Sequence, residues 1–537
     1  MASAPTFINL HVYFLALVAY CGIFLFGWET GVAGGVVSQP GFRTAFRVPN
    51  TKKAHDAVSA NVVSVLQAGA FFASLCAWFV NDRLGRRWSL FIFNAFIFLG
   101  SVLQTIPASG SLALIYAGRA IAGFGVGGVS SIAPGFVAEC SPANARGRIT
   151  GLFQIVVALG VLLSYFTNYG VSKHIAQSDP RIHRVPFGLQ LVPSGLMAIG
   201  LIFVKESPRW LARKGKREQS LKNLAFLRRK PVHDDEVILE FAEIEASAKE
   251  EIEGRFTLFQ ALKQKGTPIR FLIAFGLFVF QQWAGQNSVN YFGPQIFQSI
   301  GYNGTTPALL ATGVYGVVKF VATLVSVSFG IERFGRRWSL LGSAAGMGIL
   351  FYILGALLKT YPPDVNATSP SSASKGMAGL LYIYCIAYSF GWGPVPWVVV
   401  SEIFNNRTRA HGVAFASATQ WLFNFSLSQA TPRMVTALGW KLFIFFASIN
   451  MVMIVFSYLL PETKGKSLEE MDVLFGTIDA SEQRQKVEQE ERVIEHQLAA
   501  DGENMLDYTA DGGSSKGGSA DDKDRHPVST MTKDAAP

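Results

Sequence analysis

The sequence is poor in charged residues. Only 16% of its 537 residues are Asp, Glu, Lys or Arg, whereas about 25% is usual in a soluble domain. Half of the residues are hydrophobic, Phe alone occurs 43 times, and the mean hydropathy is +0.29. The few charges are clustered between long apolar runs. This pattern excludes an ordinary soluble domain and predicts an all-helical protein that crosses the lipid bilayer many times.

Cysteine and histidine are also scarce. The four cysteines show no CxxC or metal-ligand spacing, and we interpret them as small core residues: Cys21, Cys76, Cys140 and Cys385. The eight histidines are scattered, and the sequence has no phosphate-binding loop and no Ser/His/Asp or metal cluster. We therefore expect neither an enzyme nor a bound cofactor.

Acidic residues are fewer than basic ones, 37 against 47, which gives a net charge of +10. A basic chain can bind nucleic acid, but here the basic residues gather in the loops between apolar runs. Membrane proteins keep such loops in the cytoplasm. We therefore expect no nucleic-acid partner.

The apolar runs are long enough to span a bilayer, which takes about 20 residues of helix. The first run, at about 10–34, is too long for the core of a signal peptide, so we interpret it as a transmembrane helix. Twelve spans are predicted, near 10–34, 61–80, 88–107, 112–137, 149–170, 186–204, 271–298, 307–331, 338–358, 378–401, 411–432 and 440–460. They define an N-terminal six-helix half (1–204), a cytoplasmic helical loop (205–270), a C-terminal six-helix half (271–460) and a largely disordered cytoplasmic tail (461–537).

The positive-inside rule orients the chain. Arginines follow spans two, four, eight and ten, at Arg83, Arg86, Arg87, Arg146, Arg148, Arg333, Arg336, Arg337, Arg407 and Arg409. These loops share a side with the 205–270 loop and the tail, so we predict a plasma-membrane protein with both termini in the cytoplasm. The opposite side also carries some basic residues in its longer loops, at Arg43, Lys52 and Lys53. Two glycosylation sequons, Asn303-Gly-Thr and Asn366-Ala-Thr, fall on that outer side.

One block of six residues occurs twice. Gly85-Arg86-Arg87-Trp88-Ser89-Leu90 recurs letter for letter as Gly335-Arg336-Arg337-Trp338-Ser339-Leu340. An acid and an arginine precede each copy, at Asp82-Arg83 and Glu332-Arg333, and a second matched pair follows, with Glu139 before Arg146 and Glu402 before Arg409. We predict that these groups pair between neighbouring helices as a cytoplasmic gate, although positive-inside anchoring alone also explains arginines here. A parallel repeat implies a substrate site between two halves that alternate in access.

Further motifs carry a resemblance to a known family. They are Gly118-Arg119 with the glycine run Gly123, Gly125, Gly127; Glu206-Ser-Pro-Arg-Trp210; Gln281-Gln282-Trp-Ala-Gly285-Gln-Asn287; Gly393-Pro-Val-Pro-Trp397; and Pro461-Glu-Thr-Lys-Gly465. Over about residues 10–475 the chain resembles the sugar porter family of the major facilitator superfamily. Within it, the chain looks most similar to fungal quinate permeases and to sugar-acid and pentose transporters. The resemblance implies the major facilitator fold and secondary transport of a monosaccharide or a related polyol acid.

Intramembrane amides are the candidate substrate ligands, because an amide both donates and accepts hydrogen bonds to hydroxyl groups. By resemblance these are Gln154, Gln281, Gln282, Asn287 and Gln420, with Trp397 as an aromatic floor. Amides also join helices to one another in membranes, and we assign that role to Asn424. The pair Gln281/Gln282 and Asn287 share a face only if the helix breaks, which Gly285 permits. Gly393, Pro394 and Pro396 make span ten bendable.

Lys319 departs from the family pattern. It stands near the place where hexose-binding relatives carry Asn. A lysine inside the membrane costs at least about 2.5–3.5 kcal/mol unless it finds a partner. A substrate carboxylate would serve, and so would a backbone carbonyl or a resident acid.

Glu29 lies inside the first span, where proton-coupled sugar porters usually carry Asp. By resemblance its partner is Arg119, and separation or joining of the pair would release or take up a proton as the coupling ion. A fixed structural ion pair is the alternative interpretation of Glu29. For the whole protein, a passive facilitator and a non-transporting sugar sensor remain the alternatives to proton symport.

Overall fold

The computed structural model describes residues 10–106, 110–253, 263, 265–330, 335–364, 366–367, 369–404, 408–465 and 468–476. These residues form helices and connecting turns. The N-terminal half comprises α1 (Leu10–Ser38), α2 (Pro40–Ala45), α3 (Lys52–Leu84), α4 (Arg86–Thr105), α5 (Ala113–Cys140), α6 (Ala143–His174), α7 (Arg181–Gly188) and α8 (Leu191–Phe203). The 205–270 loop holds α9 (Pro208–Arg213), α10 (Arg217–Arg228) and α11 (Asp235–Glu253).

The C-terminal half repeats the plan. It comprises α12 (Thr267–Trp283), α13 (Gln286–Ser299), α14 (Thr305–Val325), α15 (Arg336–Thr360), α16 (Ser372–Ser389), α17 (Val395–Ile403), α18 (Arg409–Leu438) and α19 (Lys441–Leu459). A π-helical turn, Ser326–Gly330, extends α14, and α20 (Leu468–Leu474) follows the last span. The predicted disordered tail lies outside the described residues from 477 onward.

The predicted all-helical membrane fold is confirmed. Nine helical segments within the described ranges are long and apolar enough to cross a bilayer, with α7 and α8 together forming one of them. The remaining three of the twelve spans are α12 with α13, α16 with α17, and α18. Helix breaks interrupt the first two, and polar residues make α18 less apolar. Several helices run beyond the apolar stretches; α3, for example, begins at Lys52 rather than near 61, where the Thr51 side chain accepts a hydrogen bond from the Ala54 N–H. Polar turns thus continue a helix past its apolar stretch.

Glycines let α5 pack closely against its neighbours. A Cβ at Gly123 would lie 2.0 Å from the Leu66 carbonyl oxygen of α3, and one at Gly125 would lie 2.5 Å from the Phe93 carbonyl oxygen of α4. No side chain fits at these distances. The glycine run in the sequence therefore has a packing reason, which is common where membrane helices approach closely.

Each half has its own apolar core. In the N-terminal half, Phe93 and Phe136 are fully buried, and in the C-terminal half Phe278, Phe351 and Trp392 are. Since lipid is as apolar as these side chains, close packing rather than removal from water stabilises such cores. A smaller apolar cluster joins the halves, where Trp28 and Val32 belong to the same cluster as Phe292.

The helices end at two opposite ends of the bundle. We call the end that carries the repeated Arg-Arg blocks the arginine-rich end and the opposite one the far end. Hydrogen bonds join the halves near the far end: Ser172 to Thr306 (3.0 Å), Gln295 to Ser59 (3.0 Å), and Gln429 to Asn61 (3.0 Å) and Ser64 (2.7 Å). At the arginine-rich end the Trp78 and His411 rings approach to 5.8 Å.

Candidate functional site

A break in the seventh span creates the first wall of the site. Helix α12 ends at Trp283 and α13 begins at Gln286, and Gly285 between them has φ +102°. This left-handed conformation favours glycine. The Ala284 carbonyl, freed by the break, accepts hydrogen bonds from the Tyr384 hydroxyl (2.9 Å) and the Asn450 amide (3.1 Å). The predicted break at Gly285 is confirmed.

The break brings five amide side chains into one chain of hydrogen bonds. Gln286 donates to Asn290 (3.1 Å), and Asn290 donates to Asn287 (3.2 Å). Asn287 then donates to Gln282, and Gln282 donates to Gln281 (3.1 Å). Asn290, Asn287, Gln282 and Gln281 each both donate and accept here, so a bound hydroxyl group can replace one of their links with a hydrogen bond of its own.

The chain of amides ends on a second broken span. Gln281 donates to the carbonyl oxygens of Trp392 (2.9 Å) and Gly393 (3.0 Å), which lie between α16 and α17. These carbonyls lie at a helix break, and Pro394 and Pro396 follow them. Two residues into α17, Trp397 packs edge-to-face on Phe278, with ring centroids 4.7 Å apart. Polar backbone and aromatic surface therefore meet at one place.

A cavity of about 90 Å³ lies between the two halves. All residues that the sequence predicted to contact substrate line it: Gln154, Gln281, Gln282, Asn287, Lys319, Trp397 and Gln420. The structure thus brings these residues together; their role in binding stays a prediction. The side-chain oxygen of Gln420 is buried and has no hydrogen-bond partner among the described residues.

Other lining residues were not predicted from the sequence. Asn290 belongs to the amide chain, and its spacing of three from Asn287 was a usable signal. Tyr291 also lines the cavity and accepts a hydrogen bond from Asn424 (2.9 Å). Asn424 lines the cavity as well, and the structural role assigned to it stays a prediction. Phe26 and Phe153 complete the wall from the N-terminal half. Aromatic residues are so common in this chain that sequence alone could not single them out.

Lys319 is the one charged residue among those that line the cavity. Within the described ranges it makes no hydrogen bond and no ion pair with another side chain. Thr323, one helical turn further along α14, lines the cavity on the same face.

Glu29 and Arg119 form a buried ion pair, as the sequence predicted. Both side chains are fully buried, and an Arg119 Nη donates to a carboxylate oxygen of Glu29. Arg119 Nε also donates to the Val62 carbonyl (2.9 Å). Within the part of the chain that the structure describes, the second carboxylate oxygen and the second Nη have no hydrogen-bond partner. Thr30, the neighbour of Glu29 in α1, lines the cavity, so the pair lies directly behind its wall.

At the arginine-rich end, each copy of the repeated block makes an ion pair within its own half. Arg86 binds the Glu139 carboxylate with both Nε (2.9 Å) and an Nη (2.7 Å). Arg336 donates to Glu402 from an Nη (2.6 Å) to one carboxylate oxygen and from Nε to both, at 3.1 and 3.3 Å. These bidentate contacts join α4 to α5 and α15 to α17.

Two acids that were not assigned to the gate hold the start of each repeated block. Glu206 accepts hydrogen bonds from the main-chain N–H groups of Arg86 (2.9 Å) and Arg87 (3.1 Å). Glu462 accepts hydrogen bonds from the main-chain N–H groups of Arg336 (2.9 Å) and Arg337 (3.0 Å), the first two residues of α15. At this position a carboxylate accepts hydrogen bonds from N–H groups that have no partner within the helix. It also interacts favourably with the positive end of the helix dipole. Burial raises the pKa of Glu206, whereas at Glu462 the backbone N–H donors outweigh burial and lower its pKa.

The hydroxyl after each of these acids completes the arrangement. Ser207 donates to Glu139, and Thr463 donates to Glu402 (2.6 Å). Acid and hydroxyl thus occupy matching places after the last span of each half. The sequence signal was the acid–hydroxyl dipeptide itself, which the Glu-Ser-Pro and Pro-Glu-Thr motifs contain.

The other predicted gate residues have varied surroundings. Asp82 contacts Lys214 at 3.2 Å, and Arg83 lies over the Phe79 ring at 3.9 Å. Arg87 donates to the last carbonyls of α8, whereas Arg337 lies over the Tyr458 ring at 4.8 Å. The remaining ones fall outside the described residues, either entirely (Glu332, Arg333) or in their side chains (Arg146, Arg409).

Comparisons with known proteins cover most of the chain. Residues 15–475 match the family described as sugar (and other) transporter. The chain is 38% identical over 481 residues to a probable quinate permease of Neosartorya fischeri, covering 87% of this chain and 88% of that protein. It is 37% identical over 477 residues to a quinate permease of Emericella nidulans, covering 87% of this chain and 89% of that one.

Solved structures show the same fold. The xylose transporter XylE from E. coli, in a partially occluded inward-open conformation, aligns with a TM-score of 0.71 and 27% identity over 85% of this chain and 100% of that chain. The proton:xylose symporter XylE bound to 6-bromo-6-deoxy-D-glucose aligns with a TM-score of 0.69 and 28% identity, covering 87% of this chain and 99% of that one. The similarity therefore spans both halves and the cavity between them.

Proposed function

Since this chain belongs to the sugar transporter family of the major facilitator superfamily, we propose that it is a proton-coupled symporter. It carries a monosaccharide or a related polyol acid, such as quinate, galacturonate, a pentose or a hexose, across the plasma membrane. The observation that carries this proposal is the buried Glu29–Arg119 pair directly behind a cavity lined by amides. Substrate names come from relatives that are quinate permeases and a proton:xylose symporter.

Protonation of Glu29 is the coupling step in this proposal. The ion pair holds α1 to α5 while Glu29 is charged. A proton on Glu29 removes the attraction to Arg119, and the two helices can then separate. Because Thr30 and Phe26 of α1 line the cavity, movement of α1 changes the substrate site at the same time. Proton and substrate binding are thereby linked through one helix.

The arginine-rich end faces the cytoplasm in this proposal, with both termini inside. The matched Arg86–Glu139 and Arg336–Glu402 pairs tie the helices of each half together at that end. Each half then moves as a unit during alternating access.

Accumulation of labelled substrate against its gradient tests the proton role. In a transport-deficient yeast strain, the wild type should accumulate substrate when the outside is acidic. Glu29→Gln should only equilibrate it, because the glutamine cannot exchange a proton. Glu29→Asp is the matched control and should keep accumulation, since the charge is retained.

Three results separate the alternatives. Accumulation by the Glu29→Gln variant would overturn the proton role. Equilibration without accumulation by the wild type would identify a passive facilitator. A wild type that binds substrate but moves none of it would indicate a sensor.

A further inference from the structure

The charge of Lys319 has no partner inside the described chain. Glu29, the buried acid of the first span, is already bound to Arg119. All other side chains that line the cavity are uncharged. A lysine in the membrane interior is costly unless something neutralises or solvates it, and such residues usually mark a substrate pathway.

The rest of the cavity supplies hydrogen bonds without charge. Gln281, Gln282 and Asn287 offer donors and acceptors along the chain of amides, and the buried side-chain oxygen of Gln420 has no hydrogen-bond partner in the described part of the chain. The site therefore presents one cation together with several groups that bind hydroxyls. A neutral sugar would satisfy the amides and leave Lys319 unpaired.

Charge balance limits the ligand further. A single carboxylate would neutralise a single lysine, whereas a phosphate ester would bring about two negative charges into a site with one cation. We propose that Lys319 pairs with the carboxylate of a monocarboxylic polyol and makes this site selective for sugar acids or cyclic hydroxy acids over neutral sugars. This inference rests on the proposed function only in placing the substrate in this cavity.

Matched ligands that differ only in charge test it. Binding to the purified full-length protein in nanodiscs is measured by calorimetry with two pairs: quinate against its methyl ester, and galacturonate against galactose. The wild type should bind the acid of at least one pair about tenfold or more tightly than its neutral partner. A charged hydrogen bond accounts for a difference of roughly 10- to 100-fold.

Variants at Lys319 locate the effect. Lys319→Gln should lose roughly 10- to 100-fold in affinity for the acid and stay within about twofold for the neutral partner. Lys319→Arg should keep the preference, because the charge remains. Lys53→Gln is the matched control, since Lys53 is an exposed lysine in α3 and should leave both affinities unchanged.

Binding, unlike accumulation, does not depend on proton coupling. Equal loss of acid and neutral ligand in Lys319→Gln, or a wild type that prefers the neutral partner, would overturn the inference and leave symport standing. A wild-type preference for the acid that disappears in Lys319→Gln would support the inference even if Glu29→Gln still accumulates substrate. A wild type that binds neither acid would overturn the inference, while the accumulation assay would still decide on symport.

Discussion

The Tyr165 hydroxyl donates a hydrogen bond of 2.6 Å to the main-chain carbonyl oxygen of Asn290, and this bond joins the two halves of the protein. Asn290 would ordinarily bond to the N–H four residues later, but that residue is Pro294, which has none. The helix is distorted at Phe292, with φ −118° and ψ 27°. The proline thus leaves an acceptor that the opposite half uses.

Removal of this hydroxyl should weaken the contact between the halves at the far end. Tyr165→Phe keeps the ring and loses one buried hydrogen bond, worth about 0.5–1.5 kcal/mol, and leaves the Asn290 carbonyl unpaired. We expect the equilibrium to shift by roughly 2- to 13-fold toward a state in which the far end is open. A disulfide between Ser172→Cys and Thr306→Cys reports on closure, because the two native hydroxyls lie 3.0 Å apart.

The cross-linking needs a suitable background. Cys21 and Cys76 are the cysteines that are not buried, and both should be replaced by serine. Tyr165→Phe should then form the disulfide more slowly than the parent. An unchanged rate would show that the Tyr165–Asn290 bond does not hold the halves together.

Gly34 should be required for closure of the two halves at the far end. A Cβ at Gly34 would lie 1.7 Å from the Tyr291 carbonyl oxygen, which is backbone and cannot move aside alone. Gly34→Ala must therefore separate α1 from α13, and we expect transport to fall about tenfold or more. The control is Gly195→Ala in α8, where a Cβ would meet nothing within 4 Å. Normal uptake by Gly34→Ala with an unchanged disulfide yield would contradict this account.

The sequence contained part of this information. The break at Gly285 was predictable, because a glycine between amides five residues apart has an evident conformational use. Lys319 was also conspicuous, since a charge inside an apolar run needs an explanation whatever the fold. These inferences depend on short-range spacing and on residue chemistry alone.

Contacts between distant residues were not predictable. Tyr165 and Asn290 are 125 residues apart, and nothing in either segment indicates that they meet. The role of Glu206 was hidden for the same reason: its partners, the N–H groups of Arg86 and Arg87, belong to another span. One sequence shows that acids and arginines are present, but only the packing of helices shows which of them pair.

The two helix-capping acids should differ in how much they stabilise the fold. The pKa of Glu462 is lowered, because its backbone N–H donors favour the charged form, whereas burial raises the pKa of Glu206. A neutral glutamine should therefore be the worse replacement at Glu462. We expect Glu462→Gln to lower the Tm by roughly 1–4 °C at pH 7, and Glu206→Gln to lower it by less.

The pH dependence follows from the same directions. The stability that Glu462 contributes is present above its unfolded pKa, near 4.3, and is lost as the pH falls through its lower folded pKa. Glu206 contributes nothing of that kind on acidification, because its folded pKa lies above the unfolded value. Thermal melts of the purified protein at pH 7 and pH 5 test this. The difference in Tm between the two variants should persist at pH 5. A larger decrease in Tm for Glu206→Gln than for Glu462→Gln at pH 7 would contradict the assignment.

The two sequons should not be used equally. The Asn303 side-chain nitrogen, which would carry the glycan, donates hydrogen bonds to the carbonyls of Asp364 (2.8 Å) and Ala367 (2.9 Å). Asn366 is exposed, and its main-chain N–H rather than its side chain bonds to Asp364. Since the glycan replaces one hydrogen of the side-chain nitrogen, the folded protein can accept it at Asn366 and would lose at least one of the two hydrogen bonds at Asn303. We expect Asn366→Gln to remove the mobility shift produced by endoglycosidase in protein from a eukaryotic host, and Asn303→Gln to leave that shift intact.

Loss of the shift in Asn303→Gln alone would show that glycosylation precedes formation of this loop. Absence of the shift in the wild type would argue against the proposed orientation, in which this end faces outward.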